Sequence, residues 1–419
     1  MVTKYRLKNG LTVLYEPVDN VASVSVGLWL KTGSREERPS QYGYAHFVEH
    51  MLFKGTEKYS AKNLARLVDR VGGQHNAATN REYTCYYISV VHDHLELAFD
   101  VLSDMFYKPL FDSIELEREK NIIIEEIRMY DDAPDEFIHD AFLESMLNEH
   151  PLSHPILGTI EGIEQTTSES LREFYTEHYT NDNAILVIAG KIDENHLEDL
   201  ASKYFEPVQI KDKKGLIESV DSPKRLYTRH IERDLEQVHF CLGTEGLSRV
   251  DKDRWVMYSL STVLGGNMSS RLFQNVREEH GISYSIYSFH SSYSDAGVFG
   301  IYCATSPANF SKGLDLILNE CKSIGNGSAT VEEIEDSKTY MKGNLALSYE
   351  NIEVRMAQMA KNEIVHGRHF SYDDINAMID SITKEDFYLV SENLLKGTTL
   401  SLVSIGSLPV NIDSIDLKI

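Results

Sequence analysis

The chain has 419 residues, too many for one ordinary core, so two to four domains are expected. Hydrophobic residues make up 42% and charged residues 25%, the balance of a chain that folds into globular domains rather than a disordered or fibrous one. A formal charge of −24 argues against a nucleic-acid partner, and no stretch approaches the roughly 20 apolar residues that a membrane helix needs.

The N-terminus shows no basic segment leading into an apolar core and a cleavage site, so a cytoplasmic location is expected, with neither nucleic acid nor membrane as partner. Four cysteines lie far apart without C-x-x-C pairing, which indicates neither a disulfide framework nor a cysteine zinc site.

In chain order, Tyr5 to Glu16 reads as a hairpin around Asn9-Gly10, and Val21 to Lys31 alternates as a strand with Val24, Val26, Leu28 and Leu30 on one face. A polar loop, Thr32 to Tyr42, then leads through Gly43 into a helix from Tyr44 to Phe53 that ends near Gly55. The segment Ala61 to Val71 is an amphipathic helix stopped by Gly72-Gly73. Asn76 to Val91 is rich in strand formers, Asp93 to Phe106 is helical, and a long charged helix runs from Ile114 to Tyr130. Ile185 to Ala189 reads as a buried strand.

Residues 205–223 are polar, with prolines at Pro207 and Pro223, and mark a linker. Beyond them the order of elements repeats: a strand at Gln237 to Leu242, a helix at Trp255 to Leu264, a Gly265-Gly266 break, strands from Tyr284 to Ala304 and a helix at Asn309 to Ile324. The pattern predicts an internal duplication, with nothing like H-x-x-E-H in the second copy.

The string AHFVEHMLF sets His46 and His50 four residues apart, on one helix face and close enough to share an ion. Glu49 sits beside them, where a carboxylate can take a proton from metal-bound water and deliver it to a leaving amine. The order is the inverted form of the zincin motif. The same five residues also fit a plain helix with two partly exposed histidines, or a closed structural metal site, although the latter has no need of an adjacent base. A catalytic zinc requires a third ligand. On the charged helix Glu119 and Glu126 are seven residues apart and share a face with Ile122 and Ile123 on or beside it, an uncommon place for unpaired carboxylates. A solvated face remains the alternative for that pair, and Glu125 is read as facing solvent or a neighbouring helix.

The motifs GYAHFVEHMLFKGT, VGGQHNAATNREYTCYY and EREKNIIIEEIRMYDD, with GGNMSSRLF and REEHGISY in the second half, resemble the insulinase and pitrilysin superfamily, in particular its branch with the mitochondrial processing peptidase β subunit and small bacterial zinc proteases. The likeness spans nearly the whole chain. It implies an α+β fold of two related domains, each a mostly antiparallel sheet packed with helices: 1–207 carrying the zinc site, 225–419 without one, and 208–224 as linker. It implies one Zn2+ per chain held by His46, His50 and Glu126, which lies 76 residues beyond His50. Glu49 is then the general base and Glu119 an auxiliary acid that does not bind the metal.

The resemblance further implies that GGQHNAATN forms an edge strand on which a peptide is added, with Asn76 and Ala77 at the backbone contacts, where spacing alone reads as an ordinary hairpin turn. Arg277 and Tyr284 are implied to contact substrate and steady the scissile carbonyl, where spacing alone reads as packing and surface. The activity implied is zinc-dependent endopeptidase cleavage of peptides or unfolded segments inside a chamber, with a homodimer as the natural assembly. The acidic balance fits basic peptides as substrates. A catalytically silent scaffold or partner subunit of a processing-peptidase-like complex is the rival.

Overall fold

The computed structural model describes residues 2–208 and 226–419. Apart from Val208, the expected linker at 208–224 lies outside the described residues. Contacts divide the chain into two compact units: residues 2–129, 154–208 and 347–369, and residues 130–153, 226–346 and 370–419. Among the described residues no helix is long and apolar enough to cross a membrane.

In the first unit, β1 (Thr3–Arg6) and β2 (Thr12–Pro17) form the predicted hairpin, with Gly10 at φ +97° in its turn. β3 (Ser23–Leu30) follows, then α1 (Tyr44–Leu52), α2 (Ala61–Asp69), the hairpin β4 (Gln74–Thr79) and β5 (Thr84–Val91), α3 (Leu95–Tyr107) and α4 (Ser113–Asp131). After α5 (Pro134–Met146), which belongs to the second unit, α6 (Ile160–Gln165), α7 (Ser168–His178), β6 (Ala184–Gly190) and α8 (Glu194–Phe205) complete the first half. The six strands are ordered β1-β2-β6-β3-β5-β4, antiparallel except for the parallel β2–β6 pair, and β4 is an open edge. The reason for this arrangement is legible in β6: all seven residues of AILVIAG are buried, as a central strand covered on both faces requires.

The second unit holds β7 (Thr228–Ile231), β8 (Val238–Glu245), α9 (Arg254–Gly265), a π-helical segment (Phe273–Glu279), β9 (Ser283–Ser292), β10 (Gly297–Thr305), α10 (Phe310–Gly325) and α11 (Val331–Tyr349). α12 (Ile352–His366), α13 (Tyr372–Asp380), α14 (Lys384–Leu395) and β11 (Ser401–Ile405) follow. Its sheet runs β7-β11-β8-β10-β9, again with one parallel pair, β7–β11. Strand for strand this repeats β2-β6-β3-β5-β4, so both copies thread the same topology and the fold is α+β with two related sheets. α9 stands in sequence where α1 stands in the first copy, and it carries no histidine.

The duplication is not a clean division at the linker. α12, late in the chain, packs its Met356, Met359 and Ala360 against Trp29, Cys85, Ile185 and Val187 of the first sheet. α5, early in the chain, sets Ile138 and Phe142 against Cys241, Tyr302 and Val403 of the second. Each sheet has an apolar face that its own half leaves uncovered, and burying it outweighs the entropy of the longer connection, which grows only logarithmically with length. Gly27 records how closely α12 approaches: a Cβ there would stand 2.9 Å from Met356 Sδ.

Candidate metal centre

α1 presents two stripes. Phe47, Val48, Met51 and Leu52 are at most 1% exposed in the core of the first unit, while His46, Glu49 and His50 line the adjoining face. The helix begins at Gly43, whose φ of +95° is a left-handed conformation that favours glycine, and glycine has no side chain to cap the first turn. The carboxylate of Glu37 does so instead, its Oε2 accepting from Gly43 N–H at 2.9 Å and its Oε1 from Ala45 N–H at 2.7 Å. His154 Nε2 lies 3.3 Å from Glu37 Oε2 and bonds Ser34 O at 2.7 Å, while its ring stacks on Tyr42. Burial pushes the Glu37 carboxyl up, and the hydrogen bonds from His154 and from the start of the helix oppose that rise. The polar loop expected at Thr32 to Tyr42 is therefore largely buried, with Arg35 paired to Glu82 at 3.1 Å.

Three donors converge above α1. His46 Nε2 and His50 Nε2 lie 3.8 and 3.7 Å from Glu126 Oε2, and one ligand atom from each residue falls within 4.8 Å of the others. These separations are too long for hydrogen bonds, so the three groups face one another without bonding. They are close to the roughly 3.3 Å between neighbouring donors of a tetrahedral ion with bonds of about 2 Å. His46 Nδ1 is buried without a hydrogen-bond partner, and burial, aided by the charge of His50, lowers this imidazole to about 3, so it is neutral and holds a lone pair at physiological pH. Two imidazoles and one carboxylate are the donor set that zinc accepts with one position left open, and the residues present fit it.

α4 brings Glu126 to this face and Glu119 beneath it. Glu119 is 2% exposed; its Oε2 accepts from His50 Nδ1–H at 3.1 Å, and its Oε1 pairs with Lys54 at 2.7 Å. Burial would raise its carboxyl, but the bonds from His50 and Lys54 prevail and hold it below the usual carboxylate range. In the neutral ring, donation from Nδ1 of His50 to Glu119 leaves the Nε2 lone pair facing Glu126. Glu125 is exposed and paired with Arg128.

Glu49 stands outside the donor group. Thr79 Oγ1–H donates to its Oε2 at 2.5 Å. Burial raises the carboxyl, and the Thr79 bonds and the charge of His50 work against that rise. Thr79 ends β4, the strand that carries Asn76 and Ala77. Asn80 N–H donates to Tyr83 O, so by antiparallel alternation Asn76 is bonded across to Tyr87, while the backbone groups of Ala77 and His75 point off the open edge. The Ala77 N–H is occupied by the Asn76 side chain at 2.9 Å. Under β4 lies an apolar recess lined by Phe53, Leu64, Val68, His75, Tyr86 and Met105.

Arg277 and Tyr284 meet in the second unit. The guanidinium lies 4.3 Å from the Tyr284 ring centroid and donates to Tyr284 O at 2.9 Å, and the tyrosine is 79% exposed at the start of β9. Sequence reasoning missed Glu37, Thr79, Lys54 and His154. Glu37 lay in a run read only as a polar loop, and nothing in the spacing ties Thr79 to Glu49.

Comparison with known proteins identifies the family of the chain. Residues 12–160 match the family model described as insulinase (peptidase family M16), and residues 165–341 match that of the peptidase M16 inactive domain. The chain is 40% identical to an uncharacterized zinc protease of Bacillus subtilis over 385 residues, covering 92% of this chain and 93% of the relative. It is 36% identical to an uncharacterized zinc protease of Streptomyces coelicolor, covering 97% and 90%. Among solved structures, a protease from Helicobacter pylori superposes with a TM-score of 0.90 at 22% identity, covering 97% of this chain and 99% of that one, which is a likeness of fold.

Proposed function

This chain belongs to the insulinase family, peptidase family M16, and on that premise we propose that it is a zinc-dependent endopeptidase acting on peptides or unfolded segments. The observation that carries the reading is the convergence of His46, His50 and Glu126 beside a half-buried carboxylate, Glu49, that is not itself a donor. The chemistry zinc supplies when bound is Lewis acidity toward a carbonyl oxygen and toward water. Glu49 takes the proton from the attacking water and delivers it to the amine nitrogen as the C–N bond breaks. Glu119 holds His50 in the tautomer that leaves Nε2 free.

The open edge of β4 supports main-chain recognition: a peptide laid against Ala77 and His75 adds a strand, which tolerates varied sequence. In the second unit the half-buried Arg277 and the exposed Tyr284 offer a guanidinium and a phenol to a carbonyl oxygen, the substrate-contacting role we assign to them. Basic peptides are favoured by the charge of −24. Four buried, unbridged thiols fit a reducing compartment. A homodimer is the assembly we propose, to be read by sedimentation.

Elemental analysis together with cleavage of a quenched basic peptide library, before and after chelation and zinc return, tests the function. About one zinc per chain and chelator-sensitive cleavage are expected, and Glu49→Gln should keep the metal while losing about 10²-fold or more in rate. Absence of zinc from zinc-replete protein refutes the site. Zinc without cleavage by the wild type, at any peptide tested, favours the silent partner subunit.

A further inference from the structure

We infer that Thr79 is the positioning residue for Glu49, the group that aims the base at the water it deprotonates; the inference rests on the peptidase reading above. Glu49 is the one member of the α1 stripe with no tie to α4: His46 and His50 face Glu126, and His50 is held by Glu119. A glutamate has three rotatable bonds and, left alone, samples several rotamers. The bond from Thr79 Oγ1–H at 2.5 Å fixes Oε2 and leaves Oε1 as the atom available to a proton.

The location adds a second consequence. Thr79 is the last residue of the edge strand on which the peptide is proposed to lie, two positions from Ala77. The Thr79 hydrogen bond therefore ties the base on α1 to the backbone of β4, and a peptide paired in register along β4 is registered against Glu49 at the same time. A misplacement of the base by about 1 Å costs on the order of 10²-fold in rate, so a bond that removes the rotamer freedom of Glu49 acts on turnover rather than on binding.

Thr79→Val is the test, because valine is isosteric, strand-forming and unable to donate, and Thr79→Ser restores the hydroxyl alone. With wild-type zinc content in all three proteins, Thr79→Val is expected to lower kcat by about 10- to 100-fold with KM within about twofold, and Thr79→Ser to recover most of the loss. Wild-type kcat in Thr79→Val overturns the inference. So does a Thr79→Ser protein as impaired as the valine variant, since packing by the methyl group would then be the cause. Crystal structures of the three zinc-loaded proteins give a readout that does not need activity: Glu49 held in one rotamer in wild type and Thr79→Ser but released in Thr79→Val supports the inference, and one rotamer in all three overturns it. Should the wild type cleave nothing, the peptidase reading fails on its own, and the Glu49 rotamers still decide the role of Thr79.

Discussion

Replacing Glu37 with glutamine tests whether the metal helix is anchored from outside itself. The Glu37 side chain is fully buried, and both of its oxygens accept backbone N–H groups at the start of α1. Glutamine keeps the shape and one acceptor, but its amide then faces the second N–H, donor against donor. Losing one bond to a charged acceptor costs about 1.5–3 kcal/mol, and a buried unpaired N–H costs about 1–3 kcal/mol. Relief of the buried charge offsets part of that, which leaves a net loss of about 2 kcal/mol. In a unit of this size that corresponds to about 4–8 °C in melting temperature. Because His46, Glu49 and His50 all ride on α1, zinc affinity should weaken about 10-fold or more as well. Thermal melting followed by circular dichroism and competitive zinc titration measure the two effects, with Glu125→Gln on the exposed side of α4 as the control that shifts neither. A Glu37→Gln protein that melts within about 1 °C of wild type and binds zinc equally well would refute the anchoring argument.

Three other perturbations have defined outcomes. Chelation should destabilise the first unit by about 4 kcal/mol relative to zinc at about 1,000 times its Kd, zinc return should reverse this, and Glu126→Gln should abolish the dependence in a calorimetric scan. Arg271 grips Glu333 with Nε–Oε1 at 2.6 Å and Nη2–Oε2 at 2.8 Å and holds its carboxyl down at about 2. The unfolded chain therefore binds this proton more readily, so the stabilisation is present above about pH 4.5 and is lost as pH falls toward about 2; solvent screening reduces it to about 1 kcal/mol, and Glu333→Gln should flatten that part of the melting profile. Gly27→Ala should cost about 1–3 kcal/mol by pressing on Met356, and the double variant with Met356→Ala should lose less than the sum of the two singles; additive losses would show that α12 does not bear on β3 at this point.

The local content of the fold and site was legible in the residues themselves. The 3.6-residue period placed α1 to α4 to within a few residues, alternation and Asn-Gly placed the first hairpin, and a four-residue spacing on a helix obliges His46 and His50 to share a face. The repeated order of elements also foretold two sheets of one topology. What periodicity could not supply was any pairing between distant segments. Glu119 and Glu126 share one face of α4, and only the packing of α4 over α1 set Glu126 toward both Nε2 atoms and Glu119 on Nδ1 of His50.

The same limit applies to Glu37 and Thr79. A carboxylate in a charged loop reads as solvated until a helix N-terminus is found against it, and a threonine at a strand end reads as β-propensity until a half-buried carboxylate lies within bonding distance. It applies again to α5 and α12, which chain order assigns to their own halves and the structure assigns to the opposite sheets. Secondary structure follows from steric and capping preferences between near neighbours. Which faces meet is decided by apolar surface that is buried only when segments hundreds of residues apart come together, and that information belongs to the tertiary structure alone.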